Sequence, residues 1–198
     1  MKLKNEIKEI RNNEYGIDNI FLNRWSPRAM SGEKLPKNEL MALFEAAKWA
    51  PSASNNQPWR FVYAQRDTEQ WEKLFNSLNE GNREWCEKAG ALVVILSRSN
   101  MEYKNKPNPT ASFDTGSAWI SLALEGAKRG LVVHGMAGFD YTKAASTVNA
   151  GKIFKVEAMC AIGKRAPKNS LPENLQKKEM PSKRKKLSEI AFEGKLPK

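Results

Sequence analysis

Ala50-Pro51-Ser52-Ala53-Ser54-Asn55-Asn56-Gln57-Pro58-Trp59 separates two different hydrophobic periodicities. Upstream, Leu40, Leu43, Phe44 and Ala47 share one face of a helix predicted over Pro36 to Trp49. Pro36 falls near its first turn, Glu39 complements the dipole there, and Pro51 stops it. Downstream, Phe61, Val62 and Tyr63 read as a strand over Arg60 to Gln65. The segment between them is small, polar and proline-rich. Its hydroxyl and amide groups can hydrogen-bond the polar edge of a heterocycle, and its small side chains let a planar ring approach the backbone. Ser, Asn and Pro also make ordinary turns, and alone the segment reads as a loop with its own hydrogen-bond network.

Working outward, Ile17, Ile20 and Phe21 have the i, i+3, i+4 spacing of a short amphipathic helix ending at Arg24. Thr68 caps a helix running to about Leu78, and the continuous apolar run Ala91 to Leu96 predicts a strand buried on both faces. Thr110 to Arg129 predicts a long helix on which Gly116, Ala118, Ser121, Ala123, Gly126 and Ala127 keep much of the surface small. That stripe serves packing within one chain or contact with a second copy. Gly130 ends the helix as a C′ residue, and Leu131 to Val133 begins another strand. A short helix over Thr142 to Asn149 and a strand over Ile153 to Ile162 follow. Alternating strands and helices with several apolar strands predict an α+β or α/β sandwich around a central mixed sheet.

A chain of 198 residues is most simply one domain. Met1 to Tyr15 is charged and lacks an apolar signal core, and no run approaches the roughly eighteen apolar residues of a membrane span, so a soluble cytoplasmic protein with no membrane partner is expected. Cys86 and Cys160 are distant and form no Cys-x-x-Cys pattern; buried thiols are expected, with no disulfide framework and no metal site. The net charge of +11 is concentrated late: residues 164–198 hold nine Lys and two Arg against four Glu, leaving +7 there. This divides the chain into an N-terminal arm over 1–16, a domain over 17–163 and a basic segment over 164–198.

Arg24, Ser26 and Arg28 in Arg24-Trp25-Ser26-Pro27-Arg28 are alternate residues of a segment that Pro27 keeps extended, which puts all three on one side. Two guanidinium forks and a hydroxyl suit a phosphate. The pentapeptide alone also fits two surface arginines and a turn serine. His134, the only histidine, is expected to be structural. There is no Gly-x-Ser-x-Gly elbow, no Walker loop and no Gly-x-Gly-x-x-Gly fingerprint.

Taken together, the order and spacing of Arg24-Trp25-Ser26-Pro27-Arg28 and of residues 50–59 followed by Arg60-Phe61-Val62 resemble the nitroreductase family of FMN flavoproteins. The resemblance extends over roughly Ile17 to Ile190. Gly130-Leu131 followed by Met136-Ala137-Gly138-Phe139 is similar to the family's Gly-Phe loop near flavin N5, and Lys183-Arg184-Lys185 to its closing basic pair on the FMN phosphate. Ala137 departs from the acidic residue many members carry there. The resemblance implies a three-layer α/β/α sandwich of α+β class, its mixed sheet mainly antiparallel, assembled as a domain-swapped homodimer. It implies an FMN site formed by Arg24, Trp25, Ser26 and Arg28 of one subunit, Pro51, Ser52, Ala53 and Asn55 of the other, and Met136, Ala137, Gly138, Lys183, Arg184 and Lys185. Met136 is assigned to packing; Gly138 would leave room for a ring, and Trp25 would shield the flavin or simply pack. NAD(P)H would be a passing electron donor, and a nitroaromatic, quinone or similar small molecule the acceptor. No protein acid or nucleophile is required. A reductive dehalogenase or flavin-modifying relative is the alternative; nucleic-acid binding through the basic segment ranks below both, because Phe192 is its only aromatic.

Overall fold

A strand buried on both faces needs a layer of helices on each side, and the apolar run beginning at Ala91 has both. The computed structural model describes residues 1–103 and 105–197; Lys198, the last residue of the basic segment, lies outside the described residues. In chain order the elements are α1 (Asn5–Lys8), α2 (Asn19–Asn23), α3 (Lys37–Lys48), β1 (Trp59–Gln65), α4 (Glu69–Phe75), α5 (Glu80–Cys86), β2 (Ala91–Arg98), α6 (Ala111–Lys128), β3 (Leu131–Met136), α7 (Tyr141–Thr147), β4 (Phe154–Lys164) and α8 (Glu173–Gln176), with single 3₁₀ turns at Ala53–Asn55, Lys168–Ser170 and Leu187–Glu189. The strands form one sheet in the order β1-β2-β4-β3. Among the described residues every strand pair is antiparallel, the predominant pairing expected of the sheet, and no parallel pair is present within the chain.

Alternation along the strands divides the core. Leu92, Val94, Leu96, Val132, Met159 and Ala161 face one way, onto Trp71 and Leu74 of α4, Trp85 and Cys86 of α5 and Ala144 of α7. Ala91, Val93, Ile95, Val133, Cys160 and Ile162 face the other way, onto Leu40, Leu43 and Ala47 of α3 and Ala118, Leu122 and Ala123 of α6. This is the three-layer sandwich. At about 25 cal/mol per Å² of apolar area, these two clusters dominate the stability of the fold.

Local chemistry sets the ends of the elements. Asp18, Thr68, Asn79 and Asp140 each accept a backbone N–H at the start of α2, α4, α5 and α7. Gly130, at φ +76°, reverses the chain between α6 and β3. A Cβ at Gly126 would lie 2.4 Å from Val133 Cγ2, so this glycine lets α6 press onto β3. By contrast, a Cβ at Gly116 would meet nothing within 4 Å. The small stripe on α6 therefore divides: Ala118, Ala123 and Gly126 are buried within the chain, while Gly116 is exposed beside Phe113 and Ile120.

The ladder between β2 and β4 slips after Ile95: Ile95 pairs with Ala158 and Leu96 with Val156. Glu157 is the extra residue of that bulge, which re-aims its side chain.

Candidate functional site

Residues 24–29 leave α2 in extended form with the alternation the sequence predicts. Trp25, Pro27 and Ala29 are buried; Arg24, Ser26 and Arg28 are half-buried. Glu179, itself buried, fixes the far end by accepting the backbone N–H of Arg28 at 2.9 Å and of Ala29 at 3.1 Å. Trp25 does not join the site. It packs with Ile7 and Leu22, donates its indole N–H to Glu6 at 3.2 Å, and lies under the Arg165 guanidinium. A strand sends adjacent side chains to opposite sides, which puts the Trp25 indole opposite Arg24 and Ser26.

Arg24 and Ser26 line a cavity of about 510 Å³. Gly135 and Met136 at the end of β3, Ala137 just beyond it, Thr115, Gly116, Trp119 and Ile120 of α6, and Glu157 and Ala158 of β4 also line it. A Cβ at Gly135 would lie 2.9 Å from Trp119, so this glycine admits the indole. The hydroxyl of Thr115 is buried without a hydrogen-bond partner. Met136 is buried and its sulfur meets the Cys86 thiol at 3.3 Å, which accords with packing. Gly138 does not line this cavity. The space of its missing side chain is filled by the amides of Asn79 and Asn82, at 2.5 and 2.8 Å from a Cβ, while its carbonyl accepts N–H bonds from both residues. The glycine locks the loop to α5.

Glu157 is a wall residue that sequence reasoning missed, since a lone carboxylate in a strand gives no signal. It accepts the hydroxyls of Ser97 and Ser112, each at 2.6 Å, and an ammonium N–H from Lys155 at 2.9 Å. Burial pushes its pKa up, but these three donors outweigh it and hold the carboxyl below its usual range.

Residues 51–57 do not line that cavity. They fold over the start of α6, where the backbone N–H of Ala53 donates to Asp114 at 3.2 Å and the Ser52 hydroxyl accepts from the backbone of Gln57. Ser54, Asn55 and Gln57 all have left-handed backbones, at φ 51°, 51° and 47°. Such residues cost roughly 1–3 kcal/mol each and persist where surrounding bonds over-determine them. Here Asp114 and the buried Asn56, whose side chain accepts from the backbone of Glu102, supply those bonds.

The basic residues gather on the other side of Arg24. Lys183, Arg184 and Lys185 line a cavity of about 340 Å³ together with Ile10, Arg11 and Phe21. Arg11 lies in the arm, outside any sequence motif. Its Nη1 donates to the carbonyls of Leu22 and Arg24 and its Nε to the carbonyl of Ser182, while Nη2 is buried without a partner. Burial, Arg184 and Arg24 lower the Arg11 pKa to about 10; burial and Arg184 lower that of Arg24. Three guanidinium groups therefore share one neighbourhood. Arg28 stands apart from them, lining a smaller cavity with Trp85, Lys88 and Ser170, so the alternation holds but the three side chains do not converge on one pocket.

His134 is structural. Its ring packs against Trp85 at a tilt of 38° with centroids 4.4 Å apart, and Nδ1–H donates to the carbonyl of Pro27 at 2.8 Å. Cys86 and Cys160 are buried, and burial raises the pKa of both thiols. Among the described residues, no group of three or more His, Cys, Asp and Glu is arranged to hold a metal ion, and no helix is long and apolar enough to cross a membrane.

An antiparallel sandwich with a cationic corner beside a half-open slot is a framework for an anionic, ring-bearing ligand. The chain belongs to the nitroreductase family. The model of the Nitroreductase family matches residues 22–84, which span the extended segment, the 51–57 loop and β1. A solved oxidoreductase containing FMN is similar at 44% identity and a TM-score of 0.90, covering 94% of this chain and 96% of its own. A structure from Desulfovibrio desulfuricans, provisionally named a nitroreductase and in complex with FMN, shares the fold at 21% identity and a TM-score of 0.71, covering 93% of this chain and 100% of its own. A protein of Rhodopseudomonas palustris (strain TIE-1), provisionally named NADH dehydrogenase/NAD(P)H nitroreductase, is 25% identical over 177 residues, 80% of this chain and 89% of its own length.

Proposed function

We propose that this protein is an FMN-dependent oxidoreductase that draws electrons from NAD(P)H and reduces a nitroaromatic, quinone or similar small acceptor in a two-step exchange. The reading rests most on the cavity lined by Arg24, Ser26 and the end of β3. The residues present suit FMN: a half-open slot at the end of β3, a buried Thr115 hydroxyl lacking a partner, and guanidinium groups whose charges oppose one another. FMN held there by Arg24, Ser26 and Thr115 would supply the redox chemistry, hydride exchange between the nicotinamide and the acceptor.

The chain's own residues position and polarise. Arg24, Ser26 and the basic run at 183–185 hold the phosphate end. Thr115 and the backbone of Ala137 bond the ring edge. Arg28, on the same extended segment, lines a separate cavity and is assigned no contact with the ring. Met136 and Trp119 exclude water.

The site is completed by a second copy. Pro51, Ser52, Ala53 and Asn55 lie outside the cavity of their own chain, and the wall of that cavity formed by Gly116 and Ile120 continues onto exposed Phe113. In the dimer the loop of one subunit serves the cavity of the other. Residues 1–16 act as an arm, 17–163 as the FMN-binding domain and 164–198 as the segment that completes the phosphate site and the dimer.

The test is an absorption spectrum of the purified protein, followed by anaerobic addition of NADH or NADPH. Absorbance near 450 nm, about where oxidised flavins absorb, that bleaches with either nucleotide is the expected result. A protein that is colourless and takes up no added FMN sinks the reading.

A further inference from the structure

The arm residue Arg11 lines the basic cavity beside Arg184 but has so far been given no role toward the flavin. Its guanidinium offers five N–H donors in a fixed plane. Two of its nitrogens are committed to three backbone carbonyls: Leu22 and Arg24 at the end of α2, and Ser182 in the C-terminal segment at 3.0 Å. The third nitrogen, Nη2, is buried with nothing to donate to. A side chain that served only as a clasp would have no use for a charged group buried in that state.

Its surroundings deepen the mismatch. Arg11 and Arg184 line the same cavity, and Arg24 is joined to Arg11 through its carbonyl. The charges that act on Arg11 are those of Arg184 and Arg24, and both oppose its own. Glu14 also lines this cavity but is exposed and, among the described residues, forms no ion pair with any of the three. Positive charge is thus concentrated, partly dehydrated and left uncompensated, which is the arrangement a multiply charged anion would relieve.

We infer that Arg11 is a direct ligand of the terminal phosphate of the bound flavin nucleotide, its free Nη2 donating to a phosphate oxygen beside Arg24 and Arg184. The inference rests on the FMN reading and extends it to a residue outside the family motif. It also makes the N-terminal arm part of the binding site.

Riboflavin lacks the phosphate and provides the control. Dissociation constants for FMN and for riboflavin are measured on the full chain, as wild type, Arg11→Ala and Arg11→Lys. Loss of one charged hydrogen bond predicts about a tenfold weaker FMN affinity for Arg11→Ala, with riboflavin affinity unchanged. Arg11→Lys keeps the charge without the fork; it serves if the alanine variant does not fold, and should lose FMN affinity by about threefold with riboflavin again unchanged. Equal losses for both flavins would reduce Arg11 to a clasp and overturn the inference, as would unchanged FMN affinity. In either case the wild-type protein still binds FMN. A wild-type protein that binds neither flavin instead removes the FMN reading itself, and this inference with it.

Discussion

Arg24 and Ala137 lie on the same cavity and answer different questions. Arg24→Ala removes a half-buried guanidinium, and a charge-assisted hydrogen bond of about 1.5–3 kcal/mol predicts FMN affinity lower by one to two orders of magnitude. Unchanged flavin retention would take the phosphate away from Arg24. Ala137 is exposed in the cavity lining, so Ala137→Glu should alter turnover more than flavin content, read as kcat against the 450 nm absorbance of the purified variant. His134 governs stability instead. Burial outweighs its bond to Pro27 and holds its pKa below 6.5, with Arg28 lowering it further and Glu179 opposing. The unfolded chain therefore takes up this proton first as pH falls. Stability should decline as pH drops below about 6.5 and level off below the folded-state pKa. In His134→Gln this part of the acid limb should disappear from the urea midpoint; an identical limb would assign the effect to other groups.

At the scale of elements, the contact between α6 and β3 is the tightest that the glycines reveal. Gly126→Ala would drive a methyl into Val133 and should cost about 1–3 kcal/mol, with part of the loss recovered by Val133→Ala in the same chain. Additive losses in the double-mutant cycle would mean that the helix simply shifts. The same helix shows how far the sequence could be read. Its length, its Gly130 stop and its small stripe were legible because propensity and capping are local. Which small residues faced inward was not, because that depends on where the sheet lies. α3 and β2 were legible from periodicity alone. α5 was not: only Trp85 and Cys86 at its end are buried, too few to make a stripe, and its start is fixed by Asn79 and a distant glycine. β3 runs on to Met136 where the apolar pattern broke at His134 and Gly135. In the site, Arg24 and Ser26 were visible through their spacing. Glu157 and Arg11 were not, since one depends on a bulge and the other on contacts spanning the chain.

For the whole molecule, the prediction concerns assembly. Phe113 is 78% exposed on α6, beside the cavity but not in its lining. Phe113→Asp should convert a dimer into a monomer by light scattering, and flavin content should fall with it; a monomeric variant that keeps its full flavin content would show that one chain suffices. The bond from Arg11 to Ser182 spans 171 positions and ties the segment before α2 to the basic segment after α8 at one corner. During synthesis, that bond cannot form until residue 182 has been made, by which point all four strands of the sheet have been made. The crowded guanidinium corner therefore closes only after the material of the sandwich is in hand, and if FMN binds as proposed its phosphate end is the last part of the site to be completed.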